Sequence, residues 1–437
     1  MQKLLTQTQL SNYDTRGQFI LEADSGWQMT LGRARVMLEL NPDLMIDVMC
    51  PQPHQVITTP EHLNRDLLTK FGNRLKFIPH KIIPNAAMTR YDFDVTSTSR
   101  ALQTTLMKND PSKRYTHVYI NDPMLLRHFR ALFFLNCGYL PKFFVHSHFV
   151  DNPEDPKFPT EVSLWLGQCE AALKADYNFW QCRSAMDTFL DSMSKMFHEK
   201  LVTNVLKKSS PWDDGYSQHE ITSGVKENAL RFGTLEFYAR TKDKVVIFVP
   251  NRVGGRGRSS DYTNCGKFLF DIVPELWKKR QDFVVIAGNP SQKFSNQELI
   301  ELCPALMNVV PDALKRDEYK YVAIASDVVV GLYDVDTYGG TASRECVELG
   351  CVPFWINKFE YSSLARDAGG WPWTVKPDLS DAVKVLDALI EHVKVSKTSE
   401  QGRASLIEEQ SKLRDVVRSR CSYESTTTDA MKKVGLL

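Results

Sequence analysis

Three stretches of the chain gather side chains whose types and spacing suit the handling of phosphate and sugar groups. The first, Arg252 to Arg258, interleaves Arg252, Arg256 and Arg258 with Gly254, Gly255 and Gly257. Glycine lets a backbone approach a ligand closely, and guanidinium groups make charge-assisted, often bidentate bonds to phosphate oxygens. In the second, Gly339, Gly340 and Thr341 stand at a helix entrance, where main-chain amides suit a phosphate or sugar hydroxyls. Glu345, just inside that helix, stands where the macrodipole favours any glutamate. The third, Lys142 to Asp151, ends a strand with His146, His148 and Asp151. Alternation puts both histidines on one face of the strand and Ser147 on the other. The pair is either a structural, hydrogen-bonded couple or a catalytic group. A metal is disfavoured, because no third ligand stands at a useful spacing.

The elements around these stretches alternate. Strands are expected at Gln18 to Ala23, followed by the glycine-bearing loop Asp24 to Trp27, and at Met45 to Cys50, Leu75 to Ile78, His117 to Asn121, Phe143 to Val150, Tyr177 to Cys182 and Leu201 to Leu206. Helical patterns run through Leu31 to Leu40, Pro123 to Leu135, Pro159 to Leu173 and Ser184 to Lys200. Strands alternating with such helices predict a parallel sheet covered on both faces. The polar stretch from about Lys207 to Arg240, with Pro211 and Gly215, reads as a connection between domains. A second domain follows, with strands at Lys244 to Val249, Asp282 to Ala287, Leu306 to Pro311, Val328 to Val330, Val352 to Ile356 and Trp371 to Val375. Its helices are expected around Phe268 to Leu276, Lys315 to Ser326, Phe359 to Ala368, Asp378 to Val393 and Glu400 to Arg420. In the motif itself, Thr341 or Ser343 is expected to cap a helix that ends at Gly350. The ranges are therefore a first domain over 1–206, a connection over 207–240, a second domain over 241–413, and a terminal helix in 414–437 crossing back to the first.

At 437 residues, 43% hydrophobic and 24% charged, the chain has room for two or three full cores. With 54 Lys+Arg against 53 Asp+Glu, the net charge of +1 names no charged partner, so any such signal is local. One segment departs from balance: Arg65 to Lys142 holds thirteen basic residues and five acids. Arg90, Arg100, Lys113 and Arg114 lie there among Tyr91, Phe93, Tyr115 and a Thr96 to Ser99 hydroxyl run. This mixture suits a phosphate backbone or an exposed base, or else is a solvated face balanced by acids elsewhere. The nine cysteines form no C-x-x-C pair and fit free thiols in a reducing cytoplasm. No apolar run approaches membrane-spanning length, and the opening residues lack a signal-peptide core.

The segment Asp327 to Asn357 resembles the donor-site signature of GT-B glycosyltransferases, particularly the large retaining family with paired glutamates eight positions apart. Thr337, Gly340, Glu345 and Gly350 occupy the family's Glu, Gly, Glu and Gly positions, and Pro353 falls one residue late. The resemblance implies two Rossmann-like domains facing a central cleft. It implies that Glu345 holds the ribose of a nucleoside diphosphate sugar, a UDP-sugar above all, and Thr337 in place of glutamate puts the sugar-contacting role in doubt unless Asp336 or Asp334 takes it over. Asn251-Arg252 stands where the family has Gly-Arg, and Arg256 or Arg258, before Lys267, replaces its lysine against the departing diphosphate. The strand end at His146 and His148 is similar to the His-Asp-His end of a T-even phage DNA glucosyltransferase. The implied activity is sugar transfer to a hydroxyl with retention and without an obligatory metal. The acceptor would be a hydroxymethylated base in duplex DNA, in a host cytoplasm if the chain is viral, or a glycan, lipid or small molecule. A non-catalytic nucleotide-sugar-binding protein is the third reading.

Overall fold

The computed structural model describes residues 2–7, 21, 25–85, 90–93, 100, 114–148, 150, 162–224, 241, 243–250, 264–288, 301, 303–310, 316–332 and 340–437. The chain divides into two compact units, Met1–Ser217 with Tyr423–Leu437, and Gln218–Ser422.

The first unit is built on seven parallel strands: β1 (Gln2–Gln7), β2 (Leu44–Pro51), β3 (Leu75–His80), β6 (His117–Ile120), β7 (Lys142–Ser147), β8 (Tyr177–Trp180) and β9 (Ser209–Pro211). Their order is β3-β2-β1-β6-β7-β8-β9. Strands β4 (Ile82–Asn85) and β5 (Arg90–Phe93) form a separate antiparallel hairpin. Setting that hairpin aside, the order is the doubly wound 3-2-1-4-5-6 pattern with one more strand. Its switch point lies between β1 and β6, where ligands bind beyond the carboxyl ends of the strands.

Alternation along the strands separates two cores. Leu4, Val48, Tyr119 and Phe144 pack in one cluster with Trp27, Leu31, Ala34 and Leu38 of α1 (Ser25–Leu40) and with Ala430 and Met431. Leu5, Met49, Val118 and Phe143 face the other way onto Leu126, Phe129 and Phe133 of α2 (Leu126–Cys137). Adjacent residues thus serve opposite faces, as a parallel sheet between two helical layers requires. Helices α3 (Val162–Lys174), α4 (Arg183–Met196) and α5 (Glu199–Lys207) also belong to this unit.

Three expectations change here. The first strand is Gln2–Gln7, and of the expected Gln18 to Ala23 strand only Leu21 is described, in a 3-10 turn. β1 escapes the apolar-run pattern because four of its six residues are polar: Lys3 is buried by pairing with Asp47 at 3.0 Å, while Thr6 and Gln7 are buried at its carboxyl end. Gly26 lies in the first turn of α1 rather than in a loop. Leu201 to Leu206 is helical, not a strand, since the His198 side chain accepts from the Lys200 amide and caps α5.

The second unit repeats the plan with β10 (Val245–Val249), β11 (Phe283–Gly288), β12 (Leu306–Val310), β13 (Val328–Gly331), β14 (Val352–Ile356) and β15 (Thr374–Val375). The parallel order β12-β11-β10-β13-β14-β15 is again 3-2-1-4-5-6. The last expected strand shrinks to two residues. Helices α6 (Arg316–Ile324), α7 (Thr341–Glu348), α8 (Phe359–Asp367), α9 (Ala382–Thr398) and α10 (Glu400–Cys421) belong to this unit, and α11 (Tyr423–Val434) belongs to the first. Gly32 of α1 fixes how closely α11 lies, because a Cβ there would stand 2.7 Å from Tyr423 Cε2. No described helix is long and apolar enough to cross a membrane.

Candidate functional site

In the first unit the carboxyl ends of β1, β6, β7 and β9 converge on one buried polar cluster. β7 delivers His146 and His148 onto the α1 side of the sheet, where their rings stack with centroids 4.4 Å apart. Asn121 follows β6 and donates its amide to the Gln7 carbonyl of β1, which ties the two strands of the switch point together. Trp212 and Asp214 follow β9, and Trp212 stacks on His146 at 5.7 Å. From α1, Arg33 reaches in and is 1% exposed. It donates to Tyr119 Oη at 2.8 Å, to the Asp213 carbonyl at 3.0 Å and to Asp214 Oδ1 at 2.9 Å. Its guanidinium also lies over the rings of Trp212 and Tyr423, at 4.7 and 5.3 Å.

Asp214 is the hub. Its Oδ2 is 2.5 Å from His148 Nδ1, and its Oδ1 is 3.3 Å from His146 Nε2. Burial by itself would raise this carboxyl, but His148, which also hydrogen-bonds to it, and the Arg33 guanidinium outweigh it and hold the group far below the usual carboxylate range. His146 moves the other way: burial, with the Arg33 charge adding to it, keeps the ring neutral well below the ordinary histidine range. A buried anion is thus paired with a buried guanidinium and two rings, which satisfies charge in a site with little water.

The sequence offered no third ligand for a metal; the fold supplies one, since ligand atoms of His146, His148 and Asp214 lie within 4.8 Å of one another. The donor set does not favour a cation, however. The carboxylate is already shared between His148 and the Arg33 guanidinium, and a dication would stand beside that buried positive charge. The cluster is a hydrogen-bond network.

In the second unit, β13 leads towards α7, whose N-cap is Gly340 and whose first residue is Thr341. Neither Thr341 nor Ser343 caps it, contrary to expectation. Ser343 Oγ instead accepts from Trp355 Nε1 of β14 at 2.7 Å, and the Trp355 ring stacks on Tyr361 of α8 at 4.7 Å. Gly331 makes this possible, because a Cβ there would lie 2.6 Å from Trp355 Cδ1 and 2.9 Å from Ser343 Oγ. Glu345 is 6% exposed, in the second turn of α7. Glu348 pairs with Arg418 of α10 at 2.7 Å, and Arg344 donates to Cys421 Sγ at 3.3 Å, so α10 clamps the same helix. Gly350, at φ +103, ends it where a glycine was expected.

The fold brings together His146 and His148, and separately Gly340, Thr341 and Glu345. Asp151, Lys113, Arg252, Arg256, Arg258, Thr337 and Gly339 lie outside the described residues. Of the remaining basic candidates, Arg90 opens β5, Arg100 is exposed, and the exposed Arg114 lies over the Tyr139 ring at 5.1 Å. Other members of the basic segment hold the unit together. Arg74 donates to the Leu44 and Asn41 carbonyls at 3.1 and 2.7 Å, Lys70 pairs with Glu39 at 2.6 Å, and Arg130 donates to the Lys174 carbonyl at 3.3 Å. Sequence reasoning missed Arg33, Tyr119, Asn121, Trp212 and Asp214. The one available signal was the Trp-Asp-Asp run inside a stretch read as a connection.

No protein-family model matches the chain, and no curated protein sequence matches it. Solved structures do match over its full length. HepE from Anabaena, in complex with UDP-glucose, aligns over 100% of both chains with a TM-score of 0.60 at 11% identity. A sucrose-phosphate synthase from Thermosynechococcus elongatus aligns over 100% of this chain and 98% of its own, with a TM-score of 0.62 at 10% identity. An α,α-trehalose 6-phosphate synthase from Burkholderia multivorans covers 99% and 98%, with a TM-score of 0.61 at 10% identity. At these identities the likeness is one of fold, and the fold is the GT-B arrangement of two Rossmann-like α/β units.

Proposed function

We propose that the chain is a glycosyltransferase that moves a sugar from a nucleoside diphosphate, with a UDP-sugar as donor, to an acceptor hydroxyl. The observation that carries this reading is the full-length likeness in fold to HepE, which was solved with UDP-glucose. The motif at Gly340 to Gly350 adds to it, because it lies after the fourth strand of a 3-2-1-4-5-6 sheet, beside the switch point. On this reading the second unit holds the donor. The diphosphate sits at the entrance of α7 by Gly339, Gly340 and Thr341, Glu345 holds the ribose, and Thr337 stands by the sugar. Arg252, Arg256 and Arg258 stabilise the departing diphosphate, a charge that grows in the transition state and therefore responds to fixed cations. The first unit binds the acceptor and supplies His148 and His146, with Asp151 beyond them. Transfer of a hexose or pentose with retention follows the glutamate-bearing motif, and the arginines supply the positive charge that a metal would otherwise bring.

The basic excess favours a second reading, with duplex DNA carrying a hydroxylated base as acceptor. Against it, Lys70, Arg74 and Arg130 are committed to contacts within the first unit, and a glycan, lipid or small-molecule hydroxyl asks nothing of them. We prefer the latter class. The test is mass spectrometry of products after incubation with a panel of nucleotide sugars and with hydroxymethylated DNA, a glycan mixture and lipid acceptors. A mass increase equal to one sugar on a non-nucleic acceptor is expected. Modified DNA would reverse the preference, and binding without transfer would leave a non-catalytic binding protein.

A further inference from the structure

Asp214 sits 66 residues from His148 in sequence, yet its carboxylate touches both stacked rings and the buried arginine. Hydrogen-bond directionality then fixes where each ring carries its proton. The Tyr119 oxygen accepts from Arg33 Nη1 at 2.8 Å, so the single Tyr119 proton goes to His146 Nδ1 at 2.7 Å. Nδ1 of His146 is the bare nitrogen, and its proton sits on Nε2, facing Asp214. On His148 the order is reversed. Nδ1 faces the ionised carboxylate at 2.5 Å and carries a proton, so that in the neutral ring the lone pair is on Nε2. Asn121 Oδ1 stands 3.4 Å from that nitrogen, a long contact for such a bond, and the Asn121 amide nitrogen is already committed to Gln7. Both Nδ1 atoms therefore face a close partner, while the two Nε2 atoms have only longer neighbours, Asp214 Oδ1 at 3.3 Å for His146 and Asn121 Oδ1 at 3.4 Å for His148, the latter at the end of β7 beside the switch point.

We propose that Asp214 is the positioning residue of the first-unit site: its carboxylate holds His148 through Nδ1, opposite to the tautomer that Tyr119 sets on His146, and leaves His148 Nε2 as the acceptor of a hydrogen bond from a substrate hydroxyl. The identity of that substrate rests on the transferase reading above; the tautomers do not. A histidine held through Nδ1 by a buried carboxylate presents Nε2 in a fixed orientation, and loss of the carboxylate lets the ring choose the other tautomer.

Ring-nitrogen NMR of the full chain, without ligand, tests the assignment directly. His146 should show a bare Nδ1 and a protonated Nε2, and His148 the reverse. In Asp214→Asn the His148 preference should disappear and turnover of UDP-glucose should fall at least about a hundredfold with KM within about threefold, while Asp214→Glu restores the tautomer and part of the rate. A His148 protonated on Nε2 in the native chain overturns the proposal, as does an Asp214→Asn chain with native tautomers and full turnover. If Asp214→Asn does not fold, the native spectrum alone decides. Predicted tautomers in a chain that neither binds nor turns over any nucleotide sugar support the assignment and sink the transferase reading instead.

Discussion

Replacing Arg33 by methionine tests whether the buried network stabilises the first unit. Methionine fills much of the aliphatic space between Trp212 and Tyr423 but removes the bonds to Tyr119, the Asp213 carbonyl and Asp214. Breaking a buried pair from one side costs about 3 to 5 kcal/mol, because the remaining charge stays in a dry site without compensation. Asp214 keeps its contact with His148, which places the expected loss near the middle of that range, about 4 kcal/mol, or close to a thousandfold in the folding equilibrium. The assay is hydrogen exchange read by mass spectrometry on peptides covering β6 and β7 across a urea series, since two units need not unfold together. The Arg33→Met, Asp214→Leu double variant should lose clearly less than the sum of the single losses, as contacting partners do. A single-variant loss under about 0.5 kcal/mol, the range of an ordinary surface change, would refute the reasoning.

Acid should destabilise the first unit in steps whose sign is set by the same groups. Burial lowers His80 to about 4 and lowers His146 as well, so from roughly pH 6.5 downwards the unfolded chain takes up protons that the folded chain refuses. His80 by itself removes up to about 3 kcal/mol by pH 4. Asp214, whose folded value is depressed, adds stability that is present above about pH 4 and lost as the pH falls below it. Urea melts should therefore be flat near neutrality and fall steadily below pH 6.5; a maximum near pH 5 would contradict the assignments. Gly331→Ala should cost about 1 to 3 kcal/mol in the second unit by driving Trp355 off Ser343, and a thermal shift within error would show that the contact relaxes. Arg252→Ala and Arg258→Ala should each lower turnover by roughly a hundredfold, and near-normal rates in both would make that loop mere surface. Binding to duplex DNA should be weak and nearly independent of salt, whereas a log-log slope near about −0.9 for each phosphate neutralised would bring the DNA acceptor back.

The elements that could be read in the sequence were those whose burial is written in side-chain type. Val245–Val249 and Val328–Gly331 are largely β-branched runs and Val352–Ile356 an apolar, aromatic one, all buried on both faces, and reading them as parallel strands needed no tertiary knowledge. β1 was hidden because Lys3 is buried through Asp47, a partner on another strand, and over the Tyr115 ring. α5 was misread because Val202, Thr203 and Val205 suggest a strand, and only the His198 cap and the packing of Val205 favour the helix. The candidate site divides in the same way. Alternation placed His146 and His148 on one face and the helix entrance at Gly340 was legible, because both are local. Asp214, Arg33 and Asn121 reach the rings only through the strand order, which no short-range pattern encodes. The unused side-chain cap at α7 has a similar cause, since the Ser343 hydroxyl serves Trp355 twelve residues on.

The most direct test of the transferase account is titration calorimetry of the full chain with UDP-glucose, on the native sequence and on Glu345→Ala. The account predicts saturable binding to the native chain and a loss of about 1 to 3 kcal/mol in the folded variant, the range for removing hydrogen bonds to a charged group. Absence of binding for UDP-glucose and for every other nucleotide sugar, or an unchanged affinity in the variant, would contradict it.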